Sequence, residues 1–138
     1  MKREFLLKLD ELEILARELP KEGIILLNGA LASGKTTLTQ AIAKFRGVRS
    51  GVASPTFSVM QSYECADGGK IYHYDIYQNG VSGLIKNGLF ENLFEEGLHI
   101  AEWGDSELEA LLTRYGVKFY KIDISLEGDA RKYEVISA

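Results

Sequence analysis

The sequence is short of cysteine and histidine. Its 138 residues include one cysteine, Cys65, and two histidines, His73 and His99. A single cysteine excludes an internal disulfide framework and suits a reducing cytosol. The three residues lack the spacing of a zinc site, and such histidines are more often strand residues with a hydrogen-bonded ring. We therefore expect both histidines to be structural.

Long apolar segments are also absent. No stretch reaches the length that a membrane-spanning helix needs, and the apolar run within MKREFLLKLDELE is too short for a signal peptide. The chain has no repeat, low-complexity tract or evident linker. We therefore expect a cytoplasmic protein in which residues 1–138 form one domain.

Positive charge is not in excess. Sixteen Lys and Arg residues against 20 Asp and Glu give a net charge of -4, and the isoelectric point is about 5.2. This balance disfavours the binding of nucleic acid by this chain alone, although a partner could supply a basic surface. Hydrophobic residues make up 46% of the chain, which suffices for one packed core.

The first half of the chain alternates between helical and strand patterns. EFLLKL is typical of a short strand, and leucines at helical spacing predict a helix over 11–19, with Asp10 as N-cap and Glu13 completing a capping box. A continuous apolar run at 24–27 predicts a buried parallel strand. Residues 36–45 then predict a helix that ends at Gly47.

The second half contains two hairpin signals. Alternation over 57–64, the turn ADGG and the run KIYHYDIY predict two antiparallel strands, and EGDA separates another such pair near the end. LHIAEW predicts a further buried strand, followed by a helix over DSELEALLTRY that stops at Gly116. We therefore predict an α/β fold: a P-loop NTPase-like mixed sheet, with a parallel core and antiparallel hairpins, flanked by helices.

The strongest functional signal is GALASGKTT at 29–37. It matches the phosphate-binding pattern G-x-x-x-x-G-K-[ST] between a predicted strand and a predicted helix. Gly29 and Gly34 allow the backbone to approach phosphates, and the helix N-terminus adds an anion site. Lys35 would reach the β- and γ-phosphates, and the Thr36 hydroxyl would ligate Mg²⁺. A glycine-containing turn with no ligand is the alternative, which the flanking elements disfavour.

A P-loop also needs an acid for the metal and the attacking water. Asp75 and Glu102 each end an apolar strand pattern, where an open sheet presents its ligands. Each could instead be an ordinary polar residue at a strand end. Trp103 follows Glu102 and is either a core anchor or a cover for the site or a partner.

Three further stretches have two readings each. SPTF at 54–57 is either a turn or a switch-like loop in which Thr56 senses the γ-phosphate or Mg²⁺. Arg131, followed by Lys132, is either solvated charge or a contact to the nucleobase or ribose. YKID at 120–123 nearly matches a guanine signature but lacks its Asn and lies in a strand pattern, which favours ATP over GTP.

Several of these motifs occur in the order of one family. GALASGKTT, SPTF, HYDIY, AEW and a terminal hairpin with a basic pair resemble the TsaE family (formerly YjeE), small bacterial P-loop ATPases of tRNA threonylcarbamoyladenosine synthesis. The resemblance implies a mixed sheet between helices and slow ATP hydrolysis by the chain alone. It also implies binding to a TsaB–TsaD complex, which transfers the threonylcarbamoyl group to an adenosine beside the tRNA anticodon. ATP turnover would reset that complex, so tRNA is met only indirectly.

The resemblance also assigns site residues. It implies that Thr36 and Glu102 bind Mg²⁺, that Lys35, Asp75 and Glu102 are catalytic, and that ATP or ADP is the cofactor. Thr56 and Trp103 would be linked to switching or to the partner. The residues expected to contact the nucleotide are Leu31, Ala32, Ser33, Gly34, Lys35, Thr36, Thr37 and Arg131.

This chain departs from the family pattern at four positions. The family often has Gly-Ala at the P-loop positions held by Ala32 and Ser33, an Arg at Gln78 and a Pro at Gly104. These departures bear on turnover and partner affinity more than on nucleotide binding.

Two other functions fit the same motifs. A P-loop small-molecule kinase would need an arginine-rich lid, for which Arg46 and Arg49 are the only candidates after the P-loop helix. A nucleotide-dependent binding module would bind without significant hydrolysis. A Glu102→Gln variant separates the module from an ATPase, because only the ATPase would lose turnover.

Overall fold

A mixed seven-stranded sheet forms the centre of the computed structural model, which describes residues 2–29, 34–49, 60–75, 82, 85–86, 88–102 and 106–137. Its spatial order is β1-β7-β6-β2-β5-β4-β3. The strands are β1 (Lys2–Leu7), β2 (Gly23–Gly29), β3 (Met60–Glu64), β4 (Lys70–Asp75), β5 (Leu98–Glu102), β6 (Tyr120–Glu127) and β7 (Ala130–Ser137).

Helices cover the sheet within the described ranges. The α-helices are α1 (Leu12–Glu18), α2 (Lys35–Phe45) and α3 (Ser106–Arg114), and 3-10 turns occur at Leu9–Glu11 and Glu91–Phe94. The sequence patterns predicted neither of these turns.

The sheet has a parallel centre with antiparallel additions. β5 pairs in parallel with β2 and β4, and β2 also pairs in parallel with β6. The pairs β3–β4, β6–β7 and β1–β7 are antiparallel, and both predicted hairpins are present. The predicted α/β mixed sheet is therefore confirmed.

Alternation along the strands divides the core into two clusters. One face of β2, β4 and β5 contributes side chains such as Ile25, Ile71 and Ile100, which pack with residues of α1 and α2. The other face contributes Leu26, Tyr74 and Ala101, which pack with residues of α3. Because side chains alternate, Asp75 and Glu102 fall on the face covered by α2.

The sequence predicted where α2 and α3 stop but not how α1 begins. Gly47 and Gly116 follow α2 and α3 with φ of 78° and 71°, so both predicted stops are confirmed. The predicted capping box of Asp10 and Glu13 is wrong: the Lys8 amide donates to Glu11 Oε1 at 2.8 Å, and α1 begins at Leu12. A 3-10 turn over Leu9–Glu11 connects β1 to α1, so Asp10 lies inside that turn and is not the N-cap of the helix.

The face of the sheet towards α3 contains a polar network around His99. Tyr74 Oη lies 2.7 Å from His99 Nδ1, and His99 Nε2 lies 2.8 Å from the Glu95 carbonyl oxygen. Asn92 Nδ2 donates to Tyr74 Oη at 2.8 Å. A carbonyl only accepts, so Nε2 carries the hydrogen and Nδ1 accepts from Tyr74. His99 is thus a structural residue with a satisfied ring, as predicted.

This network makes stability depend on pH. Burial lowers the pKa of His99 below its usual 6.5, so the folded chain resists a proton that the unfolded chain takes up. We expect the free energy of unfolding to fall as pH drops from 7.5 to about 5.5, with a His99 contribution of at most about 1.4 kcal/mol per pH unit. Denaturant unfolding of wild type and His99→Gln checks this; an equal pH dependence in both would contradict it.

Candidate functional site

Three parallel strands end together at one edge of the sheet. The P-loop pattern begins at Gly29, the last residue of β2, while Glu102 ends β5 and Asp75 ends β4. In the strand register, Glu102 lies opposite Leu27 on one side and Asp75 on the other. The edge therefore holds two carboxylates at one level beside the P-loop strand, as the strand patterns predicted.

The Thr36 hydroxyl and the Glu102 carboxylate connect α2 to β5. Thr36 Oγ1 lies 3.0 Å from Glu102 Oε1 and 2.9 Å from Oε2, although the two residues are 66 positions apart. Glu102 is only 3% exposed. A carboxylate buried to this degree needs donors, and Thr36 supplies one of them.

Lys35, the first residue of α2, is a buried cation that contacts the last residue of the P-loop strand. Its Nζ donates to the Gly29 carbonyl oxygen at 2.9 Å, and the residue is 5% exposed. Burial lowers the pKa of Lys35, and the negative charges of Glu102 and Asp75 oppose that effect. The ammonium group is thus subject to the opposite charge of both carboxylates.

Arg131 lies against the start of the P-loop helix. Gly34 is the N-cap of α2 with φ of 109°, and a Cβ at this position would lie 3.2 Å from Arg131 Nε. The position therefore favours glycine both for its backbone conformation and for the close guanidinium. Arg131 belongs to β7, whose pairing with β6 and β1 takes it to this edge.

His73 reaches the same carboxylate from β4. Its Nε2 makes a hydrogen bond with Glu102 Oε2, and both residues are buried. Within the described part of the chain, His73 Nδ1 has no hydrogen-bond partner. The expectation of a fully hydrogen-bonded ring is therefore wrong for His73. The spacing of H-x-D, which puts His73 and Asp75 on one face of a strand, was the available signal.

A model of the family described as "Threonylcarbamoyl adenosine biosynthesis protein TsaE" matches residues 8–134. The chain belongs to the TsaE family. The resemblance seen in the sequence motifs is confirmed.

Curated relatives named "tRNA threonylcarbamoyladenosine biosynthesis protein TsaE" support the same assignment. The Rickettsia conorii protein is 37% identical over 94 residues, which are 67% of this chain and 53% of the relative. The Streptomyces coelicolor protein is 33% identical over 100 residues, 70% of this chain and 67% of the relative. This TsaE-family chain therefore spans about half the length of the Rickettsia conorii relative.

A solved structure shares the fold. The crystal structure of Bacillus subtilus YdiB superposes with a TM-score of 0.69 at 23% identity, covering 99% of this chain and 86% of that chain. At this identity the likeness supports the fold alone, that is, the mixed sheet and its connections.

Among the predicted nucleotide contacts, Thr37 is a half-buried residue of α2. Other predicted site residues of this TsaE-family chain lie outside the described residues. The sequence predictions that the structure does not describe concern Leu31, Ala32, Ser33, Thr56, Gln78, Trp103 and Gly104.

The donor set can be compared with the needs of a metal. Among the described residues there is no group of three or more His, Cys, Asp or Glu side chains that could hold an ion. A hydroxyl and a carboxylate are in contact at Thr36 and Glu102, and both are hard oxygen donors. Mg²⁺ commonly uses one or two carboxylates together with waters and substrate phosphates, so this pair fits a Mg²⁺–nucleotide.

No described helix is long and apolar enough to cross a membrane.

Removing the Thr36 hydroxyl tests the buried contact without any ligand. In Thr36→Val, Glu102 loses a donor at a buried position, so we expect the free energy of unfolding to fall by about 1–3 kcal/mol. The matched control Thr37→Val, one residue along α2, should change it by less than about 0.5 kcal/mol. Denaturant unfolding of the nucleotide-free chain measures both. Equal losses in the two variants would contradict a specific Thr36–Glu102 contact.

Proposed function

We propose that this chain binds ATP with Mg²⁺ at the edge formed by Lys35, Thr36, Asp75 and Glu102, and hydrolyses ATP in tRNA threonylcarbamoyladenosine biosynthesis. The observation that supports this most is the contact of the Thr36 hydroxyl with the Glu102 carboxylate. It joins the first turn of the P-loop helix to an acid on the neighbouring strand, which is the pairing that a Mg²⁺–nucleotide requires.

The P-loop side of this edge would bind the phosphates. The α2 N-terminus offers backbone N–H groups and the positive end of the helix dipole. Lys35 adds a cation, and its present bond to the Gly29 carbonyl is one that a phosphate oxygen could replace. Arg131, packed on Gly34, is a second cation next to the helix N-terminus. A phosphate contact for Arg131 is thus as well supported as the contact to the base that the resemblance implies.

Thr36 and Glu102 would hold the metal, with Asp75 beside them. When bound, Mg²⁺ neutralises negative charge on the β- and γ-phosphates. Asp75 and Glu102 are the two candidates to orient the attacking water, since they lie side by side at the ends of β4 and β5. Burial lowers the pKa of Lys35, and the negative charges of Glu102 and Asp75 act against that effect.

The expected partner is a TsaB–TsaD complex. Support comes from membership of the TsaE family and from relatives that are named for the same tRNA modification. The net charge of -4 disfavours direct binding of tRNA by this chain, so tRNA would be bound by the complex instead. Nucleotide binding and hydrolysis would then change how this chain binds TsaB–TsaD, and so reset the complex between cycles.

Nucleotide binding has a direct test at Lys35. Loss of a charged hydrogen bond costs about 1.5–3 kcal/mol, so Lys35→Ala should weaken Mg²⁺–ATP binding roughly 10- to 100-fold. Lys44→Ala, an exposed lysine in the last turn of the same helix, should leave the affinity unchanged. Isothermal titration calorimetry measures both. If wild type does not bind Mg²⁺–ATP, or Lys35→Ala binds equally well, the assignment of the site is wrong.

Partner dependence has its own test. Mixing the chain with TsaB–TsaD and ATP should form a complex and raise the rate of ATP hydrolysis, and Glu102→Gln should lower that rate about 100-fold or more. No complex and an unchanged rate would contradict the partner. Phosphorylation of a nucleoside or small alcohol would favour a kinase, and unchanged turnover in Glu102→Gln would remove Glu102 from the chemistry.

A further inference from the structure

His73 is a buried histidine that the proposed ATPase chemistry does not use. Its side chain is 0% exposed, on the face of β4 that also presents Asp75. In the register of the parallel strands, His73 pairs with Ile100 and Asp75 pairs with Glu102. His73 therefore lies diagonally across from Glu102, one step further from the edge, where its ring can reach the carboxylate.

The contact with Glu102 determines which nitrogen carries the hydrogen. An ionised carboxylate accepts hydrogen bonds and cannot donate them. His73 Nε2, which faces Glu102 Oε2, must therefore be the N–H, and in the neutral ring Nδ1 then carries a lone pair. Since Nδ1 has no partner within the described residues, the known polar contact of this ring is the one to Glu102.

That imbalance argues against a role in packing alone. A buried polar atom without a partner is costly, and an aliphatic side chain would fill the same space without the cost. His99, on the other face, differs in this respect because both of its ring nitrogens have partners. The donor to Glu102 is thus what a histidine adds at position 73.

Among the described residues, the two donors to Glu102 differ in their other tasks. Thr36 Oγ1 contacts both carboxylate oxygens, yet this hydroxyl is also the P-loop group expected at Mg²⁺. His73 has no such second task and is fixed by burial. We propose that His73 is a positioning residue that fixes the orientation of the Glu102 carboxylate towards Thr36. This inference rests on the proposed function, in which Glu102 is a metal ligand whose orientation sets metal affinity.

Two substitutions at His73 distinguish the loss of the N–H donor from the loss of the imidazole ring. His73→Leu removes the N–H, whereas the amide nitrogen of His73→Gln can occupy a position similar to that of Nε2. With ATP present, we expect the Mg²⁺ concentration for half-saturation to rise about 10- to 100-fold in His73→Leu. It should stay within about threefold of wild type in His73→Gln, and ATP affinity without Mg²⁺ should be unchanged in both. Calorimetric titration of Mg²⁺ measures these values.

A matched control removes the other buried histidine. His99→Leu also loses an imidazole from the same strand layer but on the opposite face, so it should leave the Mg²⁺ dependence unchanged. If His73→Leu binds Mg²⁺ as wild type does, or if His73→Gln is as weak as His73→Leu, the positioning role is overturned. Failure of wild type to bind Mg²⁺–ATP would instead overturn the proposed function.

A measurement on the nucleotide-free chain keeps the inference testable even if the His73 variants do not fold. Long-range ¹H–¹⁵N spectra of wild type should show His73 protonated at Nε2. The Nε2 resonance should shift in Glu102→Gln, while the His99 resonances, from the other face of the sheet, should remain in place. A His73 ring protonated only at Nδ1, or an Nε2 resonance indifferent to Glu102→Gln, would overturn the proposal.

Discussion

The burial of β5 is the constraint on which the rest of the structure depends. All five of its residues, Leu98–Glu102, are buried, and parallel strands flank it on both sides. Four of them are placed by packing or by the His99 network. The fifth is a carboxylate, which an apolar interior tolerates only with donors around it. The positions of Thr36 and His73 follow from that requirement, because each supplies a hydrogen bond to Glu102.

The charges at this edge bear on the proposal that a nucleotide and Mg²⁺ bind there together. Asp75 and Glu102 bring two negative groups near one buried cation, Lys35. Phosphates alone would add like charge next to the two carboxylates, which is unfavourable beside the buried Glu102. A divalent cation held by Thr36 and Glu102 would offset that charge. The proposed dependence on Mg²⁺ is thus a property of the carboxylate pair as much as of the P-loop.

Local patterns were enough to predict the fold and the strand ends at which Asp75 and Glu102 lie. The apolar runs of β2 and β5, the hairpin turns and the P-loop spacing are each encoded within a few neighbouring residues. The contacts that were missed join distant parts of the chain. The packing of Arg131 on Gly34 depends on the position of β7 in the sheet, and the bond from His73 to Glu102 depends on the register of β4 against β5. Neither register nor strand order is written in a local pattern.

Because side chains alternate between the two faces of a sheet, the two histidines on adjacent strands lie on opposite faces. His73, on the face towards α2, contacts the Glu102 carboxylate at the candidate site. His99 on β5 faces α3 and accepts a hydrogen bond from the Tyr74 hydroxyl of β4. The second contact joins β4 to β5 on the opposite face, where Tyr74 directly precedes Asp75 and His99 lies three residues before Glu102. The same alternation of side chains thus assigns His73 to the candidate site and His99 to the stability of the opposite face.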